Sequence, residues 1–244
     1  MSVATELTKL NTNIKNAYDE IATKGGTIPQ NKNTDNLPTA INSIPSGGGA
    51  EDYFVTSGNY NNGYRFIKKM PSLTLTRNGS LSGFLSGYEN LEEIGNITAT
   101  TCNNVSNFFS GCSKLTTIGT LTFGTITRAD YMFYTCNNIV SVPLFDTSTA
   151  TNLQQMFRNC DKLETVPVYN WSSATSLSDM FNSSYKLTDQ SIDNVLQMCI
   201  GATSYTGTKT LYVLGFRSNP YTTARIQACP HYQDFLNAGW TIGY

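Results

Sequence analysis

The motif Met-Phe-x-x-Cys-x-x-Leu-x-x-Val-Pro at residues 156–167 returns every 24 residues through the middle of the chain. Met156-Phe157, Cys160, Leu163 and Val166-Pro167 repeat Met132-Phe133, Cys136, Ile139 and Val142-Pro143. One period earlier stand Phe108-Phe109, Cys112, Leu115 and Ile118-Gly119, and before those Phe84-Leu85, Tyr88, Leu91 and Ile94-Gly95. Met180-Phe181, Ser184 and Leu187 continue the series, and Ile67, Met70-Pro71 and Leu73 open it weakly. A fixed period of this length constrains a fold more than any other sequence feature. Read as columns, Ile67, Leu91, Leu115, Ile139, Leu163 and Leu187 are all apolar. So are Met70, Ile94, Ile118, Val142 and Val166, then Leu73, Ile97, Leu121, Phe145 and Tyr169, then Leu81, Val105, Ala129, Leu153 and Leu177. Two columns vary freely: Gly83, Asn107, Tyr131, Gln155, Asp179, and Ser86, Ser110, Tyr134, Arg158, Asn182.

Such columns arise when each repeat is one coil and successive coils stack about 4.8 Å apart. Apolar columns then line a shared interior, and variable columns face water. One coil cannot bury its apolar side alone, so stability comes from its neighbours. Pro143 and Pro167, with Gly95 and Gly119 in their column, are placed to end a short strand and turn the chain. The period falls in the leucine-rich range, although the spacing is not the common L-x-x-L-x-L-x-x-N. It resembles the BspA-type leucine-rich repeat, a surface-protein repeat. Residues 132–157 carry the likeness, including Phe145-Asp146-Thr147-Ser148 and Thr151-Asn152-Leu153. The resemblance implies display on bacterial surfaces or phage particles for adhesion.

The two ends read differently. Leu7, Leu10, Ile14, Ala17 and Ile21 form a heptad seam. It is too short to stand alone and must pack on copies of itself, the rest of the chain or another protein. Self-association is the preferred reading, as a homo-oligomer and first of all a trimer. Residues 24–44 resemble a recurring segment of phage tail and other structural proteins, implying attachment to other virion proteins. Pro45-Ser46-Gly47-Gly48-Gly49 reads as a linker. After Leu187, Thr188 can cap a helix bearing Ile192, Val195, Leu196, Cys199 and Ile200 on one stripe. Residues 210–216 read as a strand and Asn219-Pro220 as a helix start. The ending, 238–244, resembles the cap that follows such repeats in phage-encoded proteins. The expected fold is a mainly β, leucine-rich-repeat-like solenoid of 24-residue coils at 60–187. A helical attachment segment at 1–45 and a linker at 46–59 precede it, and an α+β cap at 188–244 follows.

Charge and reactive residues narrow the function. Net charge is −1, and charged residues are 14% of the chain, against roughly 25% typically. Phosphate binding needs clustered Lys and Arg, and the densest basic group is only Arg65, Lys68 and Lys69. No nucleic-acid partner is expected. No apolar run approaches the ~20 residues of a membrane span, and Met1 to Lys9 lacks the apolar core of a secretory signal. The chain is expected to be made in a bacterial cytoplasm and to reach a virion surface after lysis.

A single histidine, His231, argues against a His-rich metal site and a triad. It reads as a polar residue at a helix edge. Asp179, Asp189 and Asp193 match no calcium loop and read as helix-start acids. The cysteines lack any C-x-x-C pair. Cys112, Cys136 and Cys160 share a column with Ser184 and Tyr88, which favours buried free thiols over a disulfide framework. Neither metal nor cofactor is expected, and no catalytic residue is assigned. The expected function is a bacteriophage virion surface protein, in a tail fibre or baseplate or as a head fibre or decoration. It would bind a host-surface protein or glycan. A bacterial surface adhesin is the alternative, and a polysaccharide depolymerase a weaker one. Asn107, Tyr131, Tyr134, Gln155, Arg158 and Trp171 are the candidate ligand-binding residues, because sugars are bound by aromatic faces with short polar groups around them.

Overall fold

The computed structural model describes residues 14–23 except 20, 67–212 except 77, and 220–243. Leu7 and Leu10 of the heptad seam, the linker at 46–59 and most of the attachment segment lie outside the described residues. Residues 14–19 and 21–23 are helical; Ile14 and Ala17 are half-buried and Ile21 is buried.

Segments one repeat apart run parallel. β1 (Lys69–Met70), β4 (Glu93–Ile94) and β7 (Thr117–Ile118) form one three-stranded sheet, with Met70 opposite Ile94 and Ile94 opposite Ile118. β2 (Leu73–Thr74), β5 (Ile97–Ala99) and β8 (Leu121–Phe123) form a second, and β3 (Gly79–Ser80) pairs with β6 (Cys102–Asn104). Beyond β8 the parallel pairing reduces to isolated bridges, Asn104–Arg128–Asn152–Ser176 and Ser141–Thr165.

This overturns the expected mainly β solenoid. The strands are two or three residues long and fall in separate small sheets. Among the described residues none forms between Phe123 and Thr210, and much of each repeat is turn. Pro143 and Pro167 therefore end no strand. The physical reason is backbone conformation. Gly83 and Gly87 have positive φ, and so do Asn107 and Gly111, Tyr131 and Thr135, Gln155 and Asn159, and Asp179 and Ser183. Two left-handed residues four apart in each repeat break an extended strand.

The turns still pair with the next repeat. The amides of Leu81, Gly83, Leu85 and Gly87 donate to the carbonyls of Asn104, Ser106, Phe108 and Ser110 at 2.8, 2.8, 2.9 and 2.8 Å. The alternate amides of Phe84, Ser86 and Tyr88 close the turn onto Leu81, Gly83 and Leu85. The same alternation recurs from Val105 and Ala129; from Leu153 the outward amides are kept, with Arg158 closing onto Gln155. Every other amide is thus spent on the neighbour, which satisfies buried backbone without regular sheet.

Side chains follow the same offset. The rings of Phe109, Phe133, Phe157 and Phe181 stack in succession at 5.5, 5.6 and 5.2 Å, tilted by 13°, 6° and 16°. Leu115, Ile139 and Leu163 are fully buried in one continuous core. The Cys112, Cys136 and Cys160 thiols donate to the carbonyls of Leu85, Phe109 and Phe133 at 3.1, 3.2 and 3.2 Å, and Ser184 donates to Phe157 at 2.6 Å. From Cys112 onward the column therefore carries a small donor rather than a small apolar group, which is why serine fits at position 184. Burial pushes the Cys112 thiol up to about 12, so it stays protonated and inert.

The C-terminal segment closes the last repeat. α1 (Asp189–Gly201) starts at Thr188, whose hydroxyl accepts from the Ser191 amide at 3.2 Å. Ser191 Oγ then accepts from the Val166 amide at 3.1 Å, and Asn194 Nδ2 donates to the Val166 carbonyl at 2.8 Å. Two side chains replace the backbone that a further repeat would offer. β9 (Thr210–Tyr212), α2 (Pro220–Gln227), α3 (Tyr232–Asn237) and β10 (Thr241–Gly243) follow, β9 and β10 pairing in parallel. The Asn194→Ala variant is expected to lose about 1–3 kcal/mol, the cost of an orphaned buried carbonyl. Urea denaturation measures it, and an unchanged midpoint would contradict this closing role.

Candidate functional site

The two variable columns lie side by side on one half-exposed face. Asn107, Tyr131, Gln155 and Asp179 make one edge, all half-buried and all with φ between 53° and 59°. Tyr134 and Arg158, also half-buried, stand beside them. The Tyr131 and Tyr134 rings meet edge to face at 5.7 Å and 76°. Arg158 Nη1 donates to Gln155 Oε1 at 3.1 Å and lies 3.8 Å from an Asp179 carboxylate oxygen. Arg158 Nε is buried without a hydrogen-bond partner.

Left-handed backbone at non-glycine residues carries strain of roughly 1–3 kcal/mol each. Tyr131 and the β-branched Thr135 accept it where Gly83 and Gly87 occupy the matching positions two repeats earlier, and Gln155 accepts it three repeats after Gly83. This was invisible in the sequence: drift from glycine to bulky residues reads as free variation, not as a fixed conformation.

Trp171 does not belong to this face. It is 1% exposed, inside the core; its column runs through Leu75, Ala99 and Thr147, which are buried as well, and Phe123, which is half-buried against the same core. Its indole cannot offer an open face to a ligand at the surface. It lines instead a pocket of about 340 Å³, together with Leu177, Asp179, Met180, Tyr205 and Trp240. The pocket begins at Asp179, where the strip of variable residues ends.

Ser106 and Asp130, one repeat apart, are buried polar residues that precede Asn107 and Tyr131 of the strip in the chain. Ser106 Oγ donates to Asp130 Oδ1 at 2.6 Å, and Arg128 grips the same carboxylate through Nε and Nη2, both at 3.0 Å. Burial alone would raise the Asp130 carboxyl, but the hydrogen bonds from Arg128 and Ser106 hold it below the usual range.

A second group lies near the C-terminal end. Asp193 is buried and accepts from the His231 amide at 2.9 Å, with His231 Nδ1 2.8 Å from its other oxygen. Arg225 pairs with Asp189 at 2.7 Å. A pocket of about 610 Å³ runs past Asp189, Asp193, Arg225 and Cys229. Asp193 was read as a helix-start acid, and its only sequence signal was its place on the apolar side of α1. Burial and the Asp193 and Asp189 carboxylates push the Cys229 thiol up to about 11, so it is no nucleophile at neutral pH. Among the described residues no group of three or more His, Cys, Asp or Glu side chains gathers to hold a metal, and no helix is long and apolar enough to cross a membrane.

Fold and strip define a repeat protein, a periodic buried framework under a non-periodic outer face. A family model described as "Mycoplasma protein of unknown function, DUF285" matches residues 80–203, about half the chain. The chain belongs to this family, which is associated with BspA-like surface repeat proteins. No curated protein and no solved structure matches it.

The Asp130 shift has a testable sign. A carboxyl depressed in the folded state adds stability above its unfolded pKa, and that stability is lost as pH falls through the folded value. Wild-type stability is therefore expected to drop on acidification below about pH 4, and Asp130→Asn to flatten that drop. Thermal melts from pH 7 to 2 measure it, and parallel profiles for the two proteins would refute the assignment.

Proposed function

We propose that the chain is a surface-display protein whose strip of variable residues binds host-surface glycan. Its role is binding rather than catalysis. The observation that carries this is the strip itself: Asn107, Tyr131, Tyr134, Gln155 and Arg158 lie on one face in strained or half-buried settings, over a framework that does not vary. Strain and a buried guanidinium nitrogen are costs, and they gather where a face does work. Edge-to-face tyrosines beside amide and guanidinium donors suit a polyhydroxylated ligand. Single contacts of this kind are weak, but display of many copies multiplies them through effective concentration.

The display platform we favour is a bacteriophage particle, fixed through residues 1–45 as a homo-oligomer. The likeness of residues 24–44 to phage structural segments supports this. A bacterial cell surface is the second reading, favoured by the family's description as Mycoplasma proteins. Immunogold labelling of particles and cells separates the two.

Fluorescently labelled full-length chain is expected to bind cells that carry the glycan. Tyr131→Ala and Arg158→Ala should each weaken binding about tenfold, or ~1.4 kcal/mol, with unchanged melting. Equal binding by wild type and both variants would overturn the role of the strip.

A further inference from the structure

The strip is a row of equivalent positions. Asn107, Tyr131, Gln155 and Asp179 share one backbone conformation, with φ of 57°, 59°, 53° and 54°. In each coil the amide three residues on, from Ser110, Tyr134, Arg158 or Asn182, donates back to that residue's carbonyl at 3.0, 3.1, 3.1 or 3.2 Å. Equal backbones launch the paired side chains in equal directions, coil after coil. Three of the pairs also hold themselves in place. The Tyr131 and Tyr134 rings meet at 5.7 Å, Arg158 donates to Gln155 at 3.1 Å, and Asn182 Nδ2 donates to Asp179 Oδ1 at 3.5 Å. Each coil thus carries its own small polar or aromatic subsite.

The stack beneath fixes the spacing of these subsites. Phe109, Phe133, Phe157 and Phe181 belong to the same turns, and their ring centres advance by 5.5, 5.6 and 5.2 Å with tilts of only 13°, 6° and 16°. The row therefore runs nearly straight along the stack, with one step of about 5 Å per coil. That step selects among linear polymers. An extended peptide advances roughly 3.3 Å per residue, and a duplex strand about 3.4 Å per nucleotide, so neither keeps register with the coils. Nucleic acid also needs clustered cations, and the four pairs hold a single arginine beside an aspartate. In an extended β-1,4-linked hexose chain, one ring with its linking oxygen spans one coil step.

We propose that the strip binds an extended β-1,4-linked polysaccharide laid along the stack, one sugar unit per coil from Asn107 to Asp179. The proposal rests on the adhesion reading and deepens it: the ligand is a chain read along its length, not a terminal sugar. Tyr131 and Tyr134 take the C–H face of one ring, and the amide, guanidinium and carboxylate groups of the other coils exchange hydrogen bonds with hydroxyls. A lone ring touches one coil and gains little. Each further ring adds its contacts at high effective concentration.

Full-length chain is titrated calorimetrically with β-1,4-linked oligomers of N-acetylglucosamine and of glucose, from one unit to six. In at least one series affinity is expected to rise about tenfold from two units to four, and to level off beyond four. Asn107→Gly removes the first subsite and keeps the left-handed backbone, as Gly83 does in the same column. It should move the levelling point from four units to three, with unchanged melting. Equal affinity for one unit and four, no binding in either series, or a levelling point that Asn107→Gly leaves at four overturns the proposal. If Tyr131→Ala still weakens cell binding in that case, the adhesion reading survives with a ligand of another shape. If it does not, both fall.

Discussion

The structure depends on one constraint: the backbone amides of each repeat must find carbonyls in the next. Extended strands would do this in a regular sheet, but this chain does it mostly through turns. A left-handed residue at each of two positions per repeat sends alternate amides outward to the neighbour, while the others close the turn locally. The offset is then fixed by hydrogen bonds that any residue type can make. Side chains are left to decide only what lies inside the stack and what lies outside.

Inside, chemistry repeats because the geometry repeats. The phenylalanine stack through Phe109, Phe133, Phe157 and Phe181 contributes, at each contact, about 0.5–1.5 kcal/mol beyond area burial. The thiol column beside it meets a carbonyl at each level. Exposed offsets of the same kind, such as Lys69 with Glu93 at 2.8 Å, matter far less. Outside, the left-handed positions are indifferent to side-chain chemistry once the strain is met. That indifference is what lets their side chains vary from repeat to repeat. The end of the stack is equally specific: Ser191 and Asn194 hold the Val166 backbone that would otherwise seek another repeat. The seam between repeat and closing segment then leaves the pocket lined by Trp171 and Trp240.

Much of this was legible in the sequence, and the limits have physical causes. The apolar columns through Leu115, Ile139 and Leu163 were readable because burial demands the same chemistry at the same register. The α1 start at Thr188 was readable from capping. Strand content was not, because two- and three-residue strands carry no alternation and left-handed Tyr131 or Gln155 has no sequence signature. Trp171 was misplaced on the outer face because aromatic character suits a binding wall and a core equally. The Asp193–His231 contact spans residues 38 apart, which no local pattern encodes.

The central claim is that turn amides donate one repeat forward. Scalar coupling across hydrogen bonds in deuterated, isotopically labelled protein tests it most directly. The account predicts coupling from the Phe133 amide nitrogen to the Met156 carbonyl carbon, and from Tyr131 to Gln154, at N–O separations of 2.9 and 3.0 Å. Couplings to residues within the same turn instead, or rapid solvent exchange of both amides, would contradict it.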